Sequence, residues 1–336
     1  MKKSVNKVSF LDNPNVTPLT LDKLTVLVDM PDADIHGCFY STLLSYTQKH
    51  DPNFKRSGGS HRYPLKVQAI CPDIDGVFEK NNPSLLIQAS SKQATKPQIR
   101  LEFNPTALFF PVHNQHPFAA EAQVDYLNDL FMECCGVEFF DFLGHGRISR
   151  YDVYRTICNR KPEDYIFKFN HSAKGGNFIG TKGSLDTIML GNRSGNQLIA
   201  YNKHKHLYGQ SAEGDSLRVE LHMRPNGLLF KDFWKIEDPF KRVQIYSLHT
   251  SQPPVDKGYW AAFQDSCRFC GLTKALQKQP LKVQGKLKKA VSDSLVPWWH
   301  LSDDEFLDVW ADMLHEVLFD RIPEKPTPLT KKVLSG

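Results

Sequence analysis

Two segments of this chain repeat one pattern, IRLEFNPTALFF from Ile99 and LRVELHMRPNGLLF from Leu217. Each runs apolar, Arg, apolar, Glu, apolar, and then passes through a Pro and a small or polar pair into an apolar run that suggests the start of a helix. A hairpin-like stretch precedes both. Because the echo is short, two interpretations are open. Either it arose by chance, or it marks two strand-strand-helix units related by duplication, with matching faces turned towards each other.

Both segments alternate with the period of a β-strand, so each is predicted to turn one face to the core. The residues predicted to face the core are Ile99, Leu101, Phe103, Leu217, Val219 and Leu221. The residues predicted on the opposite face are Arg100, Glu102, Asn104, Arg218, Glu220 and His222. Between the two copies, GRISRYDVYRT is predicted to turn Tyr151 and Val153 inward and Arg150, Asp152 and Tyr154 outward.

Each of these strands therefore carries an acid beside an arginine on a polar face. One interpretation is a set of Arg–carboxylate pairs on solvated sheet faces, which contribute little to stability. The other is a cluster of carboxylate oxygens from Glu102, Asp152 and Glu220, suited to a hard divalent cation such as Mg²⁺ or Mn²⁺.

The rest of the chain predicts an α+β fold, with a curved, largely antiparallel sheet and a helical C-terminal part. Residues 1–25 read as a tail or edge strand, and residues 26–105 read mainly as alternating strands. A helix is predicted over 117–136, and strands over 147–157, 176–190, 196–203 and 216–223. The predicted organisation is a catalytic domain over 26–245 and a helical part over 259–336, where Ser302 to Glu305 form a capping box.

Composition narrows the class of protein. The sequence has 336 residues, a net charge of +5 and seven cysteines. No stretch resembles a signal peptide or reaches about 18 apolar residues, so a cytoplasmic location with reduced thiols is expected and membrane binding is not. The CxxC of Cys267 and Cys270 reads as structural thiols or, less simply, as part of a zinc site. Glycine-rich phosphate loops, GxSxG and HExxH are absent from the sequence.

A further feature is the tyrosine in GNRSGNQLIAYNKHKH, which closes an apolar strand and leads into Asn, Lys, His, Lys and His. Together with the acid-bearing strands, this segment resembles the trans-acting family of rolling-circle replication initiators from plasmids, filamentous phages and integrative elements. The family pattern runs R-V/L-E-F-N-P, R-L-D, G-x-R-x-S-x6-Y-x-K and W-R-x-E, and the resemblance covers roughly residues 95–235. The matching positions are Arg100, Glu102, Asn104, Pro105, Arg150, Asp152, Gly191, Arg193, Tyr201, Asn202, Lys203, Arg218 and Glu220.

The resemblance implies that Tyr201 attacks a DNA phosphodiester, forming a 5′-phosphotyrosine link and freeing a 3′-OH primer, and that the ends are rejoined at termination. Lys203, on the same strand face, would favour the ionised phenol or neutralise the phosphate, and Glu102, Asp152 and Glu220 would hold Mg²⁺ or Mn²⁺. Contacts to DNA are expected from Arg100, Arg150, Arg193, Arg218 and Lys205. The resemblance also implies a homodimer, a hairpin or single-stranded nick site at the replication origin, and a host helicase and polymerase as partners.

The chain departs from the family at Thr156, where a second Asp is usual, at Leu217, where Trp is usual, and slightly in the spacing from Arg193 to Tyr201. His204 and His206 follow the tyrosine too closely to reach back to a metal facing it, so they are expected to contact phosphate or solvent. Two alternatives to an initiator remain: a relaxase for conjugative transfer of a mobile element, and a non-enzymatic DNA-binding replication regulator. The lysine-rich run over 274–289 reads either as a duplex contact or as a solvated helix face.

Overall fold

The computed structural model describes residues 15–49, 51–71, 83–109, 117–170, 175–179, 185–209, 213–249, 253–296, 299–317, 323 and 325–329. Residues 1–14 of the predicted tail lie outside this part of the chain. The strands are β1 (Thr20–Asp29), β2 (Phe54–Ser57), β3 (Leu65–Ile70), β4 (Ser84–Ala89), β5 (Gln98–Phe103), β6 (Arg147–Cys158), β7 (Tyr165–Phe169), β8 (Gly175–Ile179), β9 (Leu185–Gly191), β10 (Gln197–Asn202), β11 (Ser216–Met223), β12 (Leu228–Leu229) and β13 (Val243–Ser247). The helices are α1 (Ala33–Gln48), α2 (Pro105–Phe109), α3 (Pro117–Cys135), α4 (Phe139–Gly144), α5 (Lys203–Tyr208), α6 (Lys257–Cys270), α7 (Leu272–Gln277), α8 (Leu281–Asp293) and α9 (Asp303–Val317), with 3₁₀ helices at Pro162–Asp164, Phe230–Lys235 and Pro239–Arg242.

The chain divides into two compact units, and strand β6 contributes residues to both. The first unit comprises Thr20–Asp152, Arg224–Ile236 and Trp310–Gly336. The second comprises Met1–Leu19, Val153–Met223 and Glu237–Val309. The predicted domains, 26–245 and 259–336, do not have the boundaries of these two units, and they stay a prediction.

In the first unit the strand order is β2-β3-β4-β5-β1, followed by the first half of β6. The pairs β2–β3, β3–β4, β4–β5 and β5–β1 are all antiparallel. Aromatic rings from α1, α3 and α4 form the centre of its core, where Phe39 stacks on Phe142 and meets Phe131 edge-on. Burying whole aromatic side chains in this way is a large apolar contribution to stability.

In the second unit the strand order is β8-β9-β10-β11, followed by the second half of β6. The pairs β8–β9, β9–β10 and β10–β11 are antiparallel. Strands β7 and β13 form a separate two-stranded sheet. An apolar cluster that includes Trp260, Phe263 and Leu287 packs helices α6, α7 and α8 beside that small sheet.

The two strand orders correspond element by element, because β1 to β5 have the counterparts β6, β8, β9, β10 and β11. The repeated sequences fall on β5 and β11, which are equivalent strands. This correspondence supports duplication over a chance echo. The α+β class and the large antiparallel sheet followed by C-terminal helices are confirmed. The copies differ after the repeated strand: α2 follows β5, whereas a turn containing Gly227, at φ +70, leads to β12 and a 3₁₀ helix after β11.

Most local predictions are confirmed. Helix α3, strands β6, β10 and β11, and the capping box of α9 lie where the sequence places them; in that box the amides of Ser302 and Glu305 donate to each other's side chains. The alternating strands expected over 26–105 are wrong at 33–48, which form α1. Asp32 begins that helix by accepting a hydrogen bond from the Ile35 amide.

The core faces of β5 and β11 are as predicted, since Leu101, Val219 and Leu221 are fully buried. On β6, however, Asp152 was expected on a solvated face and is only 2% exposed. The guanidinium of Arg150 covers it, donating to its two oxygens at 2.7 and 2.5 Å. A carboxylate buried this deeply needs such compensation, so this is not a surface ion pair.

Candidate functional site

Tyr201 lies one residue before the end of β10, and the side chain that ends the strand is Asn202. The Asn202 side-chain oxygen accepts hydrogen bonds from the amides of Lys205 at 3.2 Å and Ser216 at 3.3 Å, and its amide nitrogen donates to Asp215 at 2.7 Å. An asparagine in this role starts a helix. Lys203 therefore begins α5, and its predicted place on the same strand face as Tyr201 is wrong.

The turn into α5 also changes the position of the histidines. The ring of His206 meets the ring of Tyr201 edge-on, with 5.5 Å between centroids. His206 comes back to the Tyr201 ring because a helical turn reverses the chain where an extended strand would have continued; the expectation that it does not bind a metal facing Tyr201 stays a prediction. His204 packs near Tyr208 instead, at 4.8 Å between ring centroids.

The Tyr201 hydroxyl faces a carboxylate on the neighbouring strand. It donates to Oε2 of Glu220 at 3.4 Å, while Oε1 of Glu220 lies 2.7 Å from Nε2 of His222. Strand period places Glu220 and His222 on one face of β11, and the β10–β11 register sets Tyr201 directly opposite Arg218. Tyrosine, glutamate and histidine thus form one hydrogen-bonded row within the second unit.

Glu220 is held in its ionised form. Burial would raise the pKa of its carboxyl, but the hydrogen bond and charge of His222, the charge of Arg218 and the Tyr201 hydroxyl together bring that pKa below its ordinary value. An ionised carboxylate against a phenol hydroxyl can only accept a proton. The arrangement is therefore suited to orienting the Tyr201 oxygen.

Arg218 lies flat against an aromatic ring from β6. Its guanidinium carbon is 3.6 Å from the centroid of the Tyr154 ring, a cation–π contact. Its buried Nε has no hydrogen-bond partner among the described residues. Buried donors normally have an acceptor, so this nitrogen has capacity for an acceptor supplied by a ligand.

The second unit holds two side chains of the kind that bind metal ions, because Oε1 of Glu220 and Nε2 of His222 lie 2.7 Å apart. A carboxylate and an imidazole fit a divalent ion of intermediate hardness such as Mn²⁺, and less well the harder Mg²⁺. The sequence reasoning missed His222 as a candidate ligand, although its spacing of two from Glu220 on a strand was a usable signal. Asp152, predicted as a further ligand, belongs to the first unit, and its role stays a prediction.

Glu102, the third acid predicted to hold the metal, has other partners. Its two oxygens meet Lys23 at 2.6 Å and Arg100 at 3.0 Å. Burial would raise the pKa of Glu102, but Lys23, Arg100 and Arg150 together bring it below the ordinary value. Its role as a metal ligand stays a prediction.

The residues predicted to contact DNA are spread over several elements. Arg100 and Arg150 pair with the acids two positions along their own strands, and Lys205 lies 3.9 Å from Asp215. Arg193 is exposed in the turn between β9 and β10. Among these, Arg218 alone lies directly across the strand pair from Tyr201.

Comparisons with known proteins find no matching family model and no matching curated protein. Among solved structures, a rolling-circle replication initiator protein from Geobacillus stearothermophilus is 13% identical, with 76% of this chain and 97% of that chain covered and a TM-score of 0.36. DynU16, from the dynemicin biosynthetic locus, is 10% identical, with 81% and 99% covered and a TM-score of 0.16. Both TM-scores lie below 0.5, so no conclusion about function is drawn from either similarity. No helix in the described ranges combines the length and apolar character needed to cross a bilayer.

Proposed function

We propose that this protein initiates rolling-circle DNA replication by nicking one strand at its replicon's origin, with Tyr201 as the nucleophile. The observation that carries the proposal is the row formed by the Tyr201 hydroxyl, the Glu220 carboxylate and His222. This row brings the Tyr201 hydroxyl, a carboxylate and an imidazole together, and Arg218, whose Nε has no partner among the described residues, lies directly across from Tyr201, which supports the proposal. The four motifs shared with the initiator family are the second support.

The proposed step is a transesterification. The Tyr201 oxygen bonds to the phosphorus of the scissile phosphodiester as its proton passes to a base, for which Glu220 is placed. The bond from phosphorus to the 3′ oxygen breaks, and that oxygen takes up a proton to become the 3′-OH primer. A phenol with an ordinary pKa of about 10 needs such assistance near neutral pH. Reversal of the step rejoins the ends at termination.

The phosphate needs positive charge as the transition state forms. Arg218 is placed to supply it, with its plane fixed by Tyr154. Lys203, in the first turn of α5, is proposed as a further phosphate contact despite its changed position. Glu220 and His222 would hold Mn²⁺ or Mg²⁺, which when bound would neutralise charge on the phosphate.

The partners that belong to this proposal are a hairpin or single-stranded nick site at the origin, a second copy of the chain, and a host helicase and polymerase. The test is nicking of supercoiled DNA that carries the neighbourhood of the protein's own gene, with and without Mn²⁺. Nicked circles with protein covalently attached to the 5′ end are the expected result. Binding without nicking under both Mn²⁺ and Mg²⁺ would favour a replication regulator. Efficient cleavage confined to a transfer origin would favour a relaxase.

Helix α8 is predicted to contribute to binding the origin duplex. Leu287 and Val291 are buried in the core of the second unit, whereas the lysines on the remaining faces are exposed. Changing these lysines to Gln should lower duplex affinity and flatten its salt dependence by about one unit of log–log slope per lost phosphate contact. The lysines to change together are Lys282, Lys286, Lys288 and Lys289.

The matched control for α8 changes the same four lysines to Arg, which keeps the charge and should keep the affinity. Fluorescence anisotropy across a salt series measures both the affinity for the duplex and its salt dependence. Cleavage of a single-stranded oligonucleotide that already exposes the nick site should hardly change in the Gln variant. Equal losses on both substrates would assign α8 to the fold or the dimer. An unchanged salt slope would show that these lysines form a solvated helix face and do not contact DNA.

A further inference from the structure

The first unit contains a half-open cavity of about 590 Å³ on the polar face of its sheet. Its volume is typical of pockets that hold a small ligand, in the range of about 300–1,000 Å³. The side chains that give it its chemistry come from β1 to β5 and the start of α2. They are Lys23, Ser57, Lys66, Ser84, Glu102 and Asn104.

The cavity lining includes Glu102 and Asn104, the counterparts in the first copy of Glu220 and His222 beside Tyr201, whereas the counterparts of Tyr201 and Arg218 are not part of it. The strand registers show the correspondence, because the repeated Arg and Glu face equivalent partners across equivalent strand pairs. The corresponding cross-strand pairs are Leu86–Glu102 with Ile199–Glu220, and Gln88–Arg100 with Tyr201–Arg218. By the same spacing, Asn104 corresponds to His222.

The residues that differ between the copies leave the first copy without the tyrosine nucleophile and the imidazole, but with positive charge. Gln88 stands where the second copy has the nucleophile Tyr201, and an amide at 104 replaces the imidazole. Glu102 is already paired with Lys23 and Arg100. Lys66, directly across from Gln88 on β3, adds a cation at this place. Neither cleavage nor a metal ion fits such a set.

The charged side chains of the lining are mostly cationic. Among the described residues, no carboxylate pairs with Lys66, and Lys23 and Lys66 outnumber the one acid in the cavity. Ser84 accepts a hydrogen bond from the Gln68 amide at 2.8 Å, which leaves its own hydroxyl proton to donate. With Lys23 engaged by Glu102, the Lys66 ammonium group and the Ser84 hydroxyl give a cavity of this size a cation and a donor that suit a phosphate group.

We infer that this cavity binds a phosphate of single-stranded DNA, as a non-cleaving counterpart of the Tyr201 site. The choice of DNA as the source of the phosphate rests on the proposed function. A cavity of this size accommodates one or two nucleotides and is too small for a duplex. The initiator would then hold the strand at one site while cutting it at the other.

The test measures binding of a fluorescent single-stranded oligonucleotide of arbitrary sequence, in a Tyr201→Phe background so that covalent attachment does not enter. Lys66→Gln should raise Kd several-fold and reduce the log–log salt slope by about 0.7, the value for one phosphate contact on a single strand. Lys66→Arg keeps the charge and should bind like the parent. Lys49→Gln, at the exposed end of α1 and outside the cavity lining, is the matched control and should also bind like the parent.

Binding of Lys66→Gln with the parent's Kd and salt slope would overturn the inference. Inorganic pyrophosphate supplies the second arm: if it binds the parent and not Lys66→Gln while DNA affinity is unchanged, the cavity takes a small phosphate compound and the inference fails. The result is separable from the proposed function. If the protein nicks no DNA but Lys66→Gln still weakens single-strand binding, the inference about the cavity stands and the proposed nicking activity fails.

Discussion

Tyr201→Phe should abolish strand cleavage while leaving duplex affinity within a few-fold of the parent. The substitution removes one oxygen and keeps the ring that meets His206, so the strand and the turn into α5 are preserved. Loss of a covalent nucleophile costs up to ~10⁶-fold in other enzymes, so a fall of at least ~10³-fold is expected here. Nicked circles and protein–DNA adducts on denaturing gels provide the measurement.

Tyr208→Phe is the matched control, because Tyr208 lies only seven positions further along, is 69% exposed and is the nearest alternative phenol in the chain. It should cleave like the parent. An adduct that persists in Tyr201→Phe and disappears in Tyr208→Phe would identify Tyr208 of α5 as the nucleophile. Loss of cleavage in both variants would instead indicate that cleavage also depends on Tyr208 at the end of α5.

Strand period made the faces of the sheet predictable. A side chain two positions from another lies on the same face whatever surrounds it, which is why Leu101, Val219 and Glu220 could be placed from the sequence alone. The duplication was detectable for the same reason, since one repeated strand sequence implies one repeated set of neighbours. Neither inference needed a long-range contact.

The remaining errors arise where side-chain hydrogen bonds override the local pattern. Nothing in the period of QLIAYNK shows that Asn202 will bind the amides of Lys205 and Ser216 and convert the next residues to a helix. Asp32 acts in the same way before α1. The partners of Glu102 were equally hidden, because Lys23 is distant in sequence and reaches it only through the pairing of β1 with β5.

The choice of metal ligand is the point at which sequence and structure give different candidates, and Glu220→Gln tests it. This variant keeps the shape of the side chain and removes its charge. Cleavage should fall by at least ~10²-fold, since loss of one preorganised electrostatic group in a catalytic site costs about 10²–10³-fold. The Mn²⁺ concentration needed for half-maximal activity should rise at the same time. A metal titration of cleavage on an exposed single-stranded site measures both quantities.

Three further variants separate metal binding from general damage. Asp164→Asn breaks a different carboxylate–His contact of the second unit, 3.2 Å from Nε2 of His249, and should leave the Mn²⁺ requirement unchanged even if it lowers the melting temperature. His222→Asp replaces a nitrogen donor by oxygen, so the preference should move from Mn²⁺ towards the harder Mg²⁺. A shift of the Mn²⁺ requirement in Glu102→Gln equal to that in Glu220→Gln would restore Glu102 as a ligand. If instead Glu220→Gln cleaves at the parent's rate across the whole titration, Glu220 serves only as an ion-pair partner of His222, and the metal is held elsewhere.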